Sequence, residues 1–232
     1  MTSTQSQSMT VLRWMGAIGI TLAPLGLFVI PGLMYPEPVE SAEEQFRAIA
    51  EGSGGGYPAL LAQLSSAVFL LVAALGIGGV TIARGRGRTL GGIGLVTGML
   101  AAISLLVVLG FEVATLTVLI SATDTESAVE LVTALSSGPV FTIPLLVGLV
   151  GFFLALPILA LALWRSGMVP ILVPLLFVLP VLIGFVPLPF DATVLSGLLL
   201  VLPCLWMTVQ LIRGVPVVPT TQPLTVRASD HA

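Results

Sequence analysis

Six stretches of apolar residues, each near the length of a bilayer crossing, leave this chain little room for any other kind of fold. They cover residues 11–34, 58–83, 90–120, 140–164, 169–186 and 192–212. A helix needs about 20 residues to cross the hydrocarbon core, where each unpartnered backbone group costs several kcal/mol. Charge is too scarce to clothe a soluble domain: 8% of the 232 residues are charged, against about 25% in soluble proteins. Mean hydropathy is +1.14. The expected fold is all-α, a polytopic membrane bundle of six transmembrane helices. It forms one domain over residues 11–213, with residues 1–10 and 214–232 as disordered tails. The first run is read as an uncleaved helix. Arg13, at its start, is the one basic residue of the N-terminal stretch, the run is longer than the 7–15 residues of a signal core, and it lacks a small-x-small end.

Two runs depart from the average. The third is longer than a crossing requires, which predicts tilt or an end emerging into water. The fifth is short and holds Pro170, Pro174 and Pro180, which predicts a kinked or partly unwound span.

Charge sorts cleanly when the chain is threaded through six alternating spans. Arg13, Arg84, Arg86, Arg88, Arg165, Arg213 and Arg227 fall on one side, and only Arg47 on the other. The opposite loops carry Glu37, Glu40, Glu43, Glu44, Glu51, Asp124, Glu126, Glu130 and Asp191. Basic short loops stay in the cytoplasm, so the expectation is both termini inside. Trp14 and Trp164 near the inner ends, with Tyr35 and Tyr57 near the outer ends, fit interfacial belts.

Two outer segments read as short amphipathic helices. Ser41 and Glu44 form a capping box ahead of Phe46 and Ile49. Thr123 and Glu126 form another ahead of Val129, Leu131, Val132 and Leu135, with Gly138-Pro139 as the stop. Small residues at Gly94/Gly98 and Ala74/Gly78 allow close helix approach, and are read as packing within the chain.

Glu112 is the carboxylate that stands out, about 12 Å below the outer end of the third span by helical rise. Charged groups at such depth are costly and usually face protein or water. The antiparallel second span places Gln63, Ser65 and Ser66 at similar depths, so the expected polar cluster is Glu112, Gln63, Ser65 and Ser66, with Thr115 or Thr142. Two readings stay open. Glu112 is interhelical glue, the favoured one, or it carries a proton or cation during transport.

Other chemistry finds little support. His231 is the one histidine and Cys204 the one cysteine, too few for a His-based metal site, a catalytic dyad or a disulfide. The outer carboxylates lack the D-x-D-x-D-G spacing of a calcium loop, and no nucleotide-binding glycine fingerprint follows a strand. The expectation is no catalytic residue, no cofactor, no metal and no nucleic acid. Membrane lipids, and a membrane-protein partner or a second copy, are the expected contacts.

The turn Trp164-Arg165-Ser166-Gly167-Met168-Val169-Pro170, leading into an apolar run, resembles one found in uncharacterised bacterial six-helix membrane families. The resemblance implies a bacterial cytoplasmic membrane and supplies no activity or binding residue.

Overall fold

The computed structural model describes residues 3–34, 56–183 and 192–214. Its regular elements are all helical. In chain order they are α1 (Ser3–Pro24), a π-helical turn (Leu25–Val29), α2 (Ile30–Met34), α3 (Gly56–Arg84), α4 (Arg88–Ser121), α5 (Thr125–Ser136), α6 (Pro139–Arg165), α7 (Leu172–Leu176), α8 (Val178–Ile183) and α9 (Ala192–Arg213). Among the described residues, five stretches are long and apolar enough to cross a membrane: Gln7–Leu33, Pro58–Arg84, Arg88–Ser121, Pro139–Arg165 and Leu195–Arg213. They coincide with five of the six expected runs. The first outer amphipathic segment, Arg47, Asp191, Arg227 and the C-terminal tail lie outside the described residues.

Three boundaries differ from expectation. The N-terminal stretch, expected as a disordered tail, is helical from Ser3. Extending a helix already nucleated by an apolar span costs little per residue. The described part of the 169–186 run, up to Ile183, holds two short helices parted at Phe177. Pro180 has no N–H for the Leu176 carbonyl and its ring crowds that group, so α7 stops at Leu176. The Phe177 N–H turns back instead to the Pro174 carbonyl at 3.3 Å. Finally, Asp124 caps α5 in place of Thr123, its carboxylate accepting from the Ser127 N–H. Aspartate is the better N-cap acceptor.

Glycine lets the helices meet backbone to backbone. A Cβ on Gly19 would fall on the Ala73 backbone and the Phe69 carbonyl, and one on Gly76 would fall on Gly16 and the Leu12 carbonyl. These contacts join α1 to α3 in antiparallel register. On Gly98 a Cβ would meet the Ala74 Cβ at 2.7 Å, pairing α3 with α4, and on Gly151 it would meet Ala101 at 2.8 Å, pairing α4 with α6. The small-residue motifs therefore pack within the chain. Between lipid-facing helices dispersion contact does what hydrophobicity does in water.

Each of these pairings is antiparallel, which gives the bundle two chemically distinct ends. Gly87, at φ 81°, lets the α3–α4 turn lie against Ala162 and Arg165 at the end of α6, and Gly214 at the end of α9 lies against Arg13. Arg13, Arg84, Arg86, Arg88, Arg165 and Arg213 thus share one end. Asp124, Glu126 and Glu130 lie beyond the far end of α4. Both α6 and α9 finish at the arginine end, and α9 begins beside Phe28 and Val29 at the other. The chain between them therefore runs back from the arginine end.

Candidate functional site

Glu112 lies on the inward stripe of α4, in step with the buried Leu105, Leu109 and Leu116, and is itself half-buried. Its level follows from the register. Gly98 faces Ala74, and Gly91 faces Thr81. Carried on residue for residue, that antiparallel pairing sets Glu112 level with Leu60. The α6 side agrees, since the Phe111 and Phe141 rings lie 5.2 Å apart. Glu112 is therefore only about 6 Å inside the start of α3. It is shallower than its distance from the end of α4 suggests, because α4, at 34 residues, overhangs its neighbours.

That register separates the expected cluster. Gln63 lies about 4.5 Å deeper than Leu60, and Ser66 about 9 Å deeper. Ser66 is fully buried and donates to the Ala23 carbonyl of α1. Ser65 is exposed and bonds back to the Leu61 carbonyl at 2.7 Å. Thr142 shares the level of Glu112, but its hydroxyl goes to the Gly138 carbonyl at 3.0 Å. Thr115 is buried one turn beyond Glu112. The hydrogen bonds of Ser65, Ser66 and Thr142 thus run to backbone carbonyls and none to Glu112. The structure gathers Glu112, Thr115 and Thr142 toward one mouth and assigns Ser66 to a different interface.

That interface surrounds a break in the first span. Pro24 withholds an N–H from the helix, and the turn that follows is π-helical, closed by the Ile30 N–H on the Leu25 carbonyl. Ser66 donates to the Ala23 carbonyl, next to the proline, and so ties α3 to α1 at the start of this turn. One turn earlier, Thr21 and Thr208 join α1 to α9. Their hydroxyls lie 2.6 Å apart, and both reach the Ala17 carbonyl, at 3.1 and 3.0 Å. Two polar clasps thus hold α1 just ahead of its π-helical turn, one to α3 and one to α9. Sequence reading missed the threonine pair. Pro24 was the available signal, since residues around a mid-span proline are where outside donors are needed.

Phe28, in the π-helical turn, faces α6. Its ring lies 5.6 Å from Phe152 and 5.7 Å from Phe153 of α6. With Ile20, Leu70, Ile77 and Leu156, the Phe152 ring is fully buried in the middle, while Phe153 is exposed at the surface of the bundle. Among the described residues the buried polar side chains are Ser66, Thr81 and Thr115. Thr81 is bonded to its own helix, through the Ile77 and Gly78 carbonyls at 3.0 Å.

No family model, curated protein or solved structure matches the chain. The likeness to six-helix families rests on the helix layout, with the Trp164–Pro170 turn as its one local motif.

Proposed function

We propose that the chain is a six-span, non-enzymatic protein of a bacterial cytoplasmic membrane, with the arginine end and both termini inside. On this reading it serves as an accessory or interaction subunit. The observation that carries the reading is the interior. Its centre is packed with aliphatic and phenylalanine side chains, and the hydroxyls of Ser66 and Thr81 are directed to backbone carbonyls. Such an interior favours static helix packing over passage of a polar solute. On this reading the remaining crossing is the 169–186 run, whose described part holds α7 and α8.

One observation favours a second reading, a small transporter using Glu112 as a proton or cation site. No hydrogen-bond partner is found for this half-buried carboxyl among the described residues, and it lies near one mouth of the bundle. Flux measurements on the purified chain in proteoliposomes separate the two. The accessory reading predicts proton and cation flux equal to that of empty vesicles, for the native chain and for Glu112→Gln alike. A pH-dependent flux abolished by Glu112→Gln would replace it with the transporter.

A further inference from the structure

We infer that α5 is an interfacial helix seated in the headgroup zone at the end of the bundle opposite the arginines, with Leu131 and Leu135 sunk among the first methylenes of the lipid acyl chains. The inference rests on the membrane reading and is independent of whether the chain transports anything.

Three stripes of neighbours one turn apart divide this 12-residue helix. Ala128 and Val132, with Val129 beside them, are buried against Leu119 of α4. Glu126 and Glu130 are exposed on one flank of that stripe, and Leu131 and Leu135 on the other. At 3.6 residues per turn the carboxylates and the leucines point about 140° apart. Packing on α4 thus accounts for one apolar stripe and leaves the second uncovered, with Leu131 55% and Leu135 49% exposed. A helix with only water beyond the bundle needs one apolar stripe. This one has two.

The level of α5 names what covers the second. At 34 residues, α4 is about 51 Å long by helical rise, against a hydrocarbon core of about 30 Å. It begins at the exposed Arg88, which belongs among headgroups at the arginine end, so its last turns stand among headgroups at the other. α5 packs on those turns at Leu119 and leads into α6, whose Phe141 is already level with Phe111. Exposed apolar residues of the spans run into the same zone. On α4, Ile103 and Val107 are followed by Val118 and Ile120, and on α6, Val147 and Ile143 by Val140. α5 joins the ends of these two belts, and its leucine stripe continues them. An amphipathic helix at such a level buries its apolar face about 5–10 Å into the boundary between headgroups and acyl chains. The carboxylate stripe then meets water. No basic side chain lies on α5, so apolar burial, and not attraction to anionic headgroups, holds it there.

Spin labels on the full chain in phosphatidylcholine vesicles, in a Cys204→Ala background, provide the test. Leu131→Cys, Leu135→Cys, Glu126→Cys and Glu130→Cys place labels at exposed positions of α5, and Ile103→Cys at an exposed mid-span position. Collision with dissolved oxygen reports lipid, and collision with a water-soluble nickel chelate reports water. The two leucine positions should favour oxygen, at a depth about 5–10 Å inside the headgroup boundary, and the two glutamate positions should favour nickel. Nickel access at the leucine positions equal to that at the glutamates, with Ile103→Cys still oxygen-rich, would overturn the inference. Shielding of the leucine positions from both reagents would overturn it in favour of a protein cover, such as a second copy. Nickel access at Ile103→Cys would refute the membrane reading itself, and the inference with it.

Discussion

Ser66 shows how much a hydroxyl's partner decides its worth. Ser65 and Ser66 are adjacent and equally polar, yet one bonds within its own helix and the other to Ala23 of α1. Ser66→Ala should cost about 1 kcal/mol in denaturant unfolding, since a buried carbonyl beside Pro24 loses its donor. Ser65→Ala should change little. The threonine clasp makes a parallel prediction. In a double-mutant cycle, Thr21→Val and Thr208→Val should couple by about 0.5–1 kcal/mol, and strict additivity would show that the 2.6 Å contact carries no energy. At the α5 cap, the Ser127 hydroxyl, helped by the Ser127 N–H, holds the Asp124 carboxyl below the usual aspartate range. A lowered folded value means that the cap contributes fully above the ordinary pKa of about 3.9. The contribution is lost as pH falls through the folded value. Hydrogen exchange, corrected for intrinsic rates, should show α5 fraying below about pH 4 with α4 protected. Asp124→Ala should reproduce that fraying at neutral pH.

At the scale of helices, small residues decide which pairs touch. Gly76→Ala would set a Cβ on the backbone of Gly16 and should destabilise the chain by about 2 kcal/mol or more, because two backbones must part. Gly92 has open space around its Cβ position, so Gly92→Ala should leave stability within about 1 kcal/mol. Helix identity was legible because a run of apolar residues long enough to cross a membrane has few other solutions. The pairing of Gly98 with Ala74 was anticipated only as a motif, since spacing names a face and not its partner. The Glu112 cluster misled for a related reason. Depth was counted from the end of α4, and how far one helix overhangs another is a property of their register. The π-turn after Pro24 was invisible for a third reason. A proline removes one hydrogen bond, but neighbours elsewhere in the chain decide how the helix absorbs the loss.

For the whole molecule, the sorting of charge is the clearest sequence signal, and among the described residues the arginines gather at one end of the bundle and Asp124, Glu126 and Glu130 lie beyond the other. Arginines separated by most of the chain, Arg13 and Arg213, end up together because α1 and α9 run antiparallel and the chain returns between α6 and α9. Site-specific labelling with a membrane-impermeant maleimide, in a Cys204→Ala background, tests the topology directly. Arg86→Cys, Glu126→Cys and Arg213→Cys each place a thiol at an exposed position. In intact cells only Glu126→Cys should react, with Arg86→Cys and Arg213→Cys reacting after permeabilisation. Labelling of Glu126→Cys from the same side as Arg86→Cys, or of Arg213→Cys from the opposite side to Arg86→Cys, would contradict the account.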